Sequence, residues 1–163
     1  IVDGKHNVNE NLKSWQNNIS FVQQNIFLIN TSIKNNIILE DDNHIDSKKF
    51  DSISKLLSLD DMFNNLPDRL DTIVGTDGQF LSGGQKQLIS IARAIYKDSE
   101  IIIFDEASSA LDKKYINVLK NLLDSLRGSK TIIVVTHQFS DIKKSFDSIY
   151  EIDSKTILLK SNE

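Results

Sequence analysis

The sequence contains no cysteine, which excludes disulfides and thiolate metal sites and is compatible with a reducing cytoplasm. Its one proline, Pro67, lies in a polar, loop-like stretch, so the helical and strand patterns elsewhere run without that breaker. Apolar runs such as "IIIF" (Ile101 to Phe104) and "IIVV" (Ile132 to Val135) stop at four residues, where crossing a bilayer takes roughly 20. No membrane-spanning segment is therefore expected. A basic stripe is missing as well: lysines and acids are interspersed and the net charge is -4, so electrostatics offers no case for a nucleic-acid partner. The opening "IVDGKHN" has neither an initiator Met nor a basic stretch followed by an apolar one. It reads as a segment of something longer and not as a secretory leader. Glycine is scarce at six residues, yet two of them, Gly83 and Gly84, stand side by side.

At 163 residues the chain has the length of one domain, and such a domain buries roughly 70% of its unfolded surface. Residues 1 to about 24 read as a strand end or turn ("IVDG"), a polar helix or loop, and the strand "NISFVQQ". From Asn30 to Asp77 the chain is Asn- and Lys-rich with helical patterning in "KKFDSISKLLSL" and "DDMFNNL", the pattern of a small helical insertion. A helix carrying Leu88, Ile91, Ala92 and Ile95 on one buried face follows the glycines, with Ser82 placed as its N-cap. The order then runs through the strand "EIIIF", a helix from Lys113 to Leu126, the strand "TIIVV", and two short strands, "SIYEI" and "TILLK", that read as a hairpin. Apolar strands alternating with helices predict an α/β domain whose parallel sheet is covered on both faces. Ile116, Leu119, Leu123 and Leu126 read as core, Trp15 as a packing anchor, and His6 and His44 as surface residues.

Open parallel sheets bind ligands at the carboxyl ends of their strands, where loops converge with helix N-termini. Asp105 and Glu106 follow "IIIF", His137 follows "TIIVVT", and Gln23 and Gln24 close the "ISFV" strand. An Asp ending an apolar strand matches the position that holds Mg²⁺ in phosphate-binding-loop NTPases. The adjacent Glu suits general-base activation of water, a role worth about 10² to 10⁴ in rate, and His137 is placed to orient that water or meet the γ-phosphate. Ser82, Gly83 and Gly84 at a helix start offer backbone N–H groups, a favourable dipole and no β-carbons on the glycines, the makings of an anion seat.

These residues carry a resemblance to the nucleotide-binding domain of ABC transporters. "LSGGQ" (Leu81 to Gln85) is identical to that family's signature, and "IIIFDE" (Ile101 to Glu106) is similar to its Walker B strand with the glutamate that follows. "SALD" (Ser109 to Asp112) resembles the D-loop, and His137 in "VVTHQ" the switch histidine. "FVQQNIFLINTSIKNNI" resembles the exporter-type glutamine loop and its following helix, which places Gln24 at the family's glutamine. "LPDRLDTIVGTDG" resembles the exporter segment that meets the membrane domain's coupling helices. The fold implied is a RecA-like P-loop NTPase core, a parallel sheet with flanking helices, carrying a helical subdomain insert. Residues 1-29 would form a core strand and the glutamine loop, 30-97 the helical subdomain with the signature, and 98-163 the core with Walker B, D-loop and switch histidine.

The resemblance further implies two such domains meeting head to tail with ATP between them. Ser82, Gly83, Gly84 and Gln85 would then contact a neighbour's nucleotide, Asp105 and Gln24 would hold Mg²⁺, Glu106 and His137 would be catalytic, and Asp112 would lie at the shared interface. The partners implied are a second nucleotide-binding domain, identical or different, and a transmembrane domain of an exporter that holds this one at the cytoplasmic face of the membrane and chooses the transported compound. Departures stand beside the matches. Gln23 replaces a frequent proline, and Ile73, Thr76 and Asp77 replace charged residues usual in the exporter segment. No Gly-x-x-x-x-Gly-Lys-Ser/Thr loop occurs anywhere, so the chain corresponds to the C-terminal two thirds of the family's domain, lacking its N-terminal part, and in isolation is expected to bind and hydrolyse ATP weakly or not at all. Two other readings are an ABC ATPase not linked to transport, which the exporter-like segments disfavour, and an inactive truncated remnant.

Overall fold

The computed structural model describes residues 11–39, 45–137, 140, 142–153 and 156–160; "IVDG", His6 and His44 lie outside these. Three strands, β1 (Ile19–Val22), β2 (Ile101–Asp105) and β3 (Thr131–Val135), form a parallel sheet in the order β1-β2-β3. The register aligns Val22 with Phe104 and Phe104 with Val134, so all three strands end at one edge. Helix α1 (Leu12–Asn17) precedes β1, and α2 (Ile33–Ile38), α3 (Ser47–Leu56), α4 (Leu59–Phe63) and α5 (Gly83–Lys97) lie between β1 and β2. Helix α6 (Lys113–Leu126) joins β2 to β3 at the bounds the sequence pattern predicts, and β4 (Ile149–Asp153) pairs antiparallel with β5 (Thr156–Lys160) as the expected hairpin.

The sheet departs from the expectation of two covered faces. Parallel crossovers are right-handed, and with the strands laid down in sequential order both α5 and α6 fall on the same side. Ser20, Val22, Ile102 and Phe104 point to that side and are buried. The alternate residues point away: Phe21 is 49% exposed, Ile133 47% and Val135 53%. Among the described residues one face of the sheet is thus apolar and open.

Helix α5 also differs from a helix with one buried face. Leu88, Ile91 and Ala92 are buried as expected, but so are Gln87, Ile89, Ser90, Ala94 and Tyr96, while Ile95 is only partly so. The reason is position: α5 packs against β1 on one side and against α2, α3 and α4 on the others. Buried serines fix the sheet side. Ser20 Oγ donates to Ala94 O at 3.1 Å and lies 2.9 Å from Ser99 Oγ, which reaches Asn17 O at 3.3 Å. In α6 the core stripe is Tyr115, Leu119, Leu122 and Leu123, with Ile116 and Leu126 partly buried, a rotation of the predicted stripe that brings in the aromatic ring. Trp15 is half-buried and stays outside the core, and α1 has no buried residue.

Phe104, 1% exposed on the central strand, is packed from both neighbouring strands' side of the core. Phe104→Ala is expected to cost about 3–5 kcal/mol, a large share of the about 5–15 kcal/mol typical of a domain, and urea unfolding should show the midpoint falling accordingly.

Candidate functional site

The carboxyl edge of the sheet gathers three loops. Asp105 ends β2, half-buried and aligned with Val135. At Glu106 the backbone turns into the left-handed region, φ 53°, a conformation that costs a non-glycine residue about 1–2 kcal/mol. Neighbouring groups hold it there: Glu106 N–H donates to Val135 O at 2.9 Å, and Glu106 O accepts from Ser109 N at 3.1 Å and from Ser109 Oγ at 2.8 Å. The turn carries the carboxylate across to the end of β3, where Oε1 lies 2.8 Å from His137 Nδ1. The Glu106 side chain is only 15% exposed, whereas that of His137 is 70% exposed. Glu106 Oε2 is buried and has no partner among the described residues. An Nδ1–H donated to this carboxylate fixes the ring and leaves Nε2 as the nitrogen open to a ligand.

Gln24 is exposed two residues beyond β1, on the same edge. Among the described residues no group of three His, Cys, Asp or Glu forms a metal cage. The donors present, the Asp105 carboxylate and the Gln24 amide oxygen, are hard oxygens, and with the orphaned Glu106 Oε2 nearby in sequence they suit Mg²⁺, which takes one or two protein oxygens and completes its shell with water and phosphate.

The signature residues begin α5. Ser82 caps the helix: its Oγ accepts from Gln85 N at 3.2 Å while Gln85 Oε1 accepts from Ser82 N at 2.9 Å, a reciprocal capping box. Gln85 thereby has a structural task, and its Nε2 also reaches Met62 O at 3.5 Å. The box satisfies the N–H groups of Ser82 and Gln85, and those of Gly83 and Gly84 stand outside it. The two glycines are not equivalent. A β-carbon on Gly83 would meet only Ala110 Cβ at 3.6 Å, an ordinary contact, but one on Gly84 would lie 2.9 Å from Ala110 O. The space freed at Gly84 is thus occupied by this chain's own "SALD" loop. Asp112, at the end of that loop, caps α6 by accepting Tyr115 N–H at 3.1 Å and is exposed.

The structure therefore brings Glu106 to His137 and the signature helix to the Ser109–Asp112 loop, while Gln24 follows β1 at the same edge of the sheet. Two residues given no role by the sequence motifs belong to this framework: Ala110, through its carbonyl, and Asn36, a fully buried amide on α2. A polar residue between Ile33 and Ile37 in "IKNNII" was the available signal for the second.

A family model described as ABC transporter matches residues 1–109. The ATP-dependent lipid A-core flippase of Pectobacterium atrosepticum is 36% identical over 163 residues, which are 99% of this chain and 28% of the flippase. The flippase of the same name from Escherichia coli strain K12 is 35% identical over 159 residues, 97% of this chain and 27% of its own length. A bacterial Atm1-family ABC exporter solved with ATP bound superposes with a TM-score of 0.79 at 32% identity, over 88% of this chain and 25% of that one. The chain spans little more than a quarter of the length of these relatives. No helix among the described residues is long and apolar enough to cross a membrane.

The contrast between the glycines is testable by urea unfolding. Gly83→Ala should be neutral or stabilising by up to about 1 kcal/mol through helix propensity, whereas Gly84→Ala should destabilise by about 1–3 kcal/mol through overpacking. Equal responses would remove the Ala110 contact as the reason for Gly84.

Proposed function

The chain belongs to the ABC transporter family, and on that premise we propose that it is the ATP-hydrolysing motor segment of an ABC exporter. The observation that carries the proposal is the 2.8 Å approach of His137 Nδ1 to Glu106 Oε1, with Glu106 Oε2 buried and unpartnered among the described residues. The relatives named as ATP-dependent flippases, and the exporter solved with ATP bound, support it.

Hydrolysis requires a water oxygen to attack the γ-phosphorus as the bond to the ADP oxygen breaks, and the water's proton must go elsewhere. In this reading Glu106 accepts that proton. Its backbone turn and the His137 bond fix the carboxylate before the reaction, so little reorganisation accompanies charge transfer. His137, anchored through Nδ1, keeps Nε2 to meet the γ-phosphate in this reading. Asp105 and Gln24 would hold Mg²⁺, which when bound neutralises phosphate charge. No phosphate-binding loop occurs in these 163 residues. In this reading residues 30-97 form the helical subdomain, and two nucleotide-binding domains face each other. The exposed Ser82 and Gly83 N-terminus of α5 then meets the neighbour's nucleotide, with Asp112 at the shared surface. A transmembrane domain outside these residues would hold the motor at the cytoplasmic face and take up its motion.

In the purified complete exporter, Glu106→Gln is expected to reduce ATP turnover by about 10²-fold or more while ATP binding persists. His137→Ala should lower turnover in the same direction. Near-normal hydrolysis by the Glu106→Gln protein would remove this carboxylate from the base role.

A further inference from the structure

Asn36 is completely buried on α2, among Ile33, Ile37 and Ile38. A buried amide is costly unless its hydrogen-bonding capacity is used, and here all of it is. Nδ2 donates to Ile29 O at 2.8 Å and to Ser32 O at 3.0 Å. Oδ1 accepts from Ile29 N at 2.9 Å and from Arg93 Nη2 at 3.3 Å. Arg93 reaches over from α5, donating through Nε to Asn36 O at 2.8 Å and through Nη1 to Phe27 O at 3.1 Å. The guanidinium is half-buried and meets carbonyls instead of a carboxylate, and burial pushes its pKa down from the ordinary value. A cation placed at that expense serves geometry, since a planar fork can hold two carbonyls that a point charge cannot.

What the fork holds is the far end of the Gln24 loop. Phe27 is tied through its carbonyl, Ile29 through both its N–H and its carbonyl, and Leu28 between them is buried with Cδ1 in the space where a Gly78 β-carbon would sit. The near end is tied to the sheet at Val22, paired with Phe104. Residues 23–26, Gln24 among them, run between an anchor on the sheet and an anchor on the signature helix.

We infer that Arg93, with Asn36, is a positioning residue: it ties the exit of the Gln24 loop to α5, so that the placement of the signature helix sets the reach of Gln24 toward the sheet's carboxyl edge. This rests on the motor function proposed above for its chemical consequence, and on the hydrogen bonds alone for its mechanical one.

Both parts can be measured in the complete exporter. A spin label on a cysteine introduced by Asn25→Cys, in a stretch with none of its own, reports loop motion without nucleotide. Arg93→Gln and Asn36→Ala should increase the label's mobility. Arg93→Lys, which keeps the charge but not the fork, should do so partly, and Lys97→Gln, which removes a cation from the same helix that reaches Gln16 O and Ile19 O, should not. In the same variants the Mg²⁺ concentration for half-maximal ATP turnover should rise about 10-fold, the scale of losing an outer-shell support, with thermal unfolding followed in parallel to count only folded protein. Unchanged label mobility in folded Arg93→Gln and Arg93→Lys overturns the inference. So does greater mobility with an unaltered Mg²⁺ dependence, which is the signature of a staple that holds the fold and nothing more. If the unmodified exporter hydrolyses no ATP, the proposed function fails, and the mobility series alone decides the clasp.

Discussion

Every feature of the candidate site depends on the parallel pairing of β2 with a neighbour on each side. Because Val22, Phe104 and Val134 lie in register, the three strands end together, and the loops that leave them start from one line. Parallel pairing also forces long crossovers, and the crossovers bring back α5 and α6. The central strand thereby fixes both where the polar residues emerge and which helices stand beside them. Glu106 shows the dependence at its most local. Its left-handed backbone is tolerated because Val135, on the adjacent strand, receives its N–H.

Helix α5 is the second organising element, and it serves two neighbourhoods at once. Its sheet side is seated by the Ser20 and Ser99 hydroxyls, its other sides receive α2, α3 and α4, and its N-terminus presents the Ser82 to Gln85 turn against Ala110. A rigid body shifted at any of these contacts shifts the others, because eight of its 15 residues are buried. The Glu106 backbone carbonyl binds Ser109, and Ala110 in turn packs on Gly84. Three residues thus connect the carboxylate at the sheet edge with the glycines at the helix start.

Much of this was legible in the sequence because it is local. The bounds of α6, the Ser82 cap and the three parallel strands follow from spacing within a dozen residues, and Asp105, Glu106 and His137 stand where strands end. What was not legible is long-range. Arg93 and Asn36 are 57 positions apart, and nothing near either residue announces the other. Nor does the sequence near Gly84 show that Ala110 O lies where its β-carbon would be. The one-sided sheet was missed for a different reason. An all-apolar strand looks the same whether one face or both are packed, and only strand order combined with crossover handedness decides. Burial of α5 on several sides was hidden because Ile89, Ala94 and Tyr96 fall off its main stripe.

The bare side of that sheet has a consequence for anyone handling the polypeptide. Phe21 on β1 and Ile133 and Val135 on β3 project from the two outer strands to the same side, with Ile103 of β2 in register between Phe21 and Ile133, and the hairpin separately exposes Ile152, Ile157 and Leu159, each of these three more than half exposed. Exposed apolar side chains of this kind attract one another in water, and a net charge of -4 spread over the molecule is weak opposition. Colloidal behaviour of the isolated segment, its tendency to cluster as it is concentrated, is governed by these few side chains and not by its hydrophilic average.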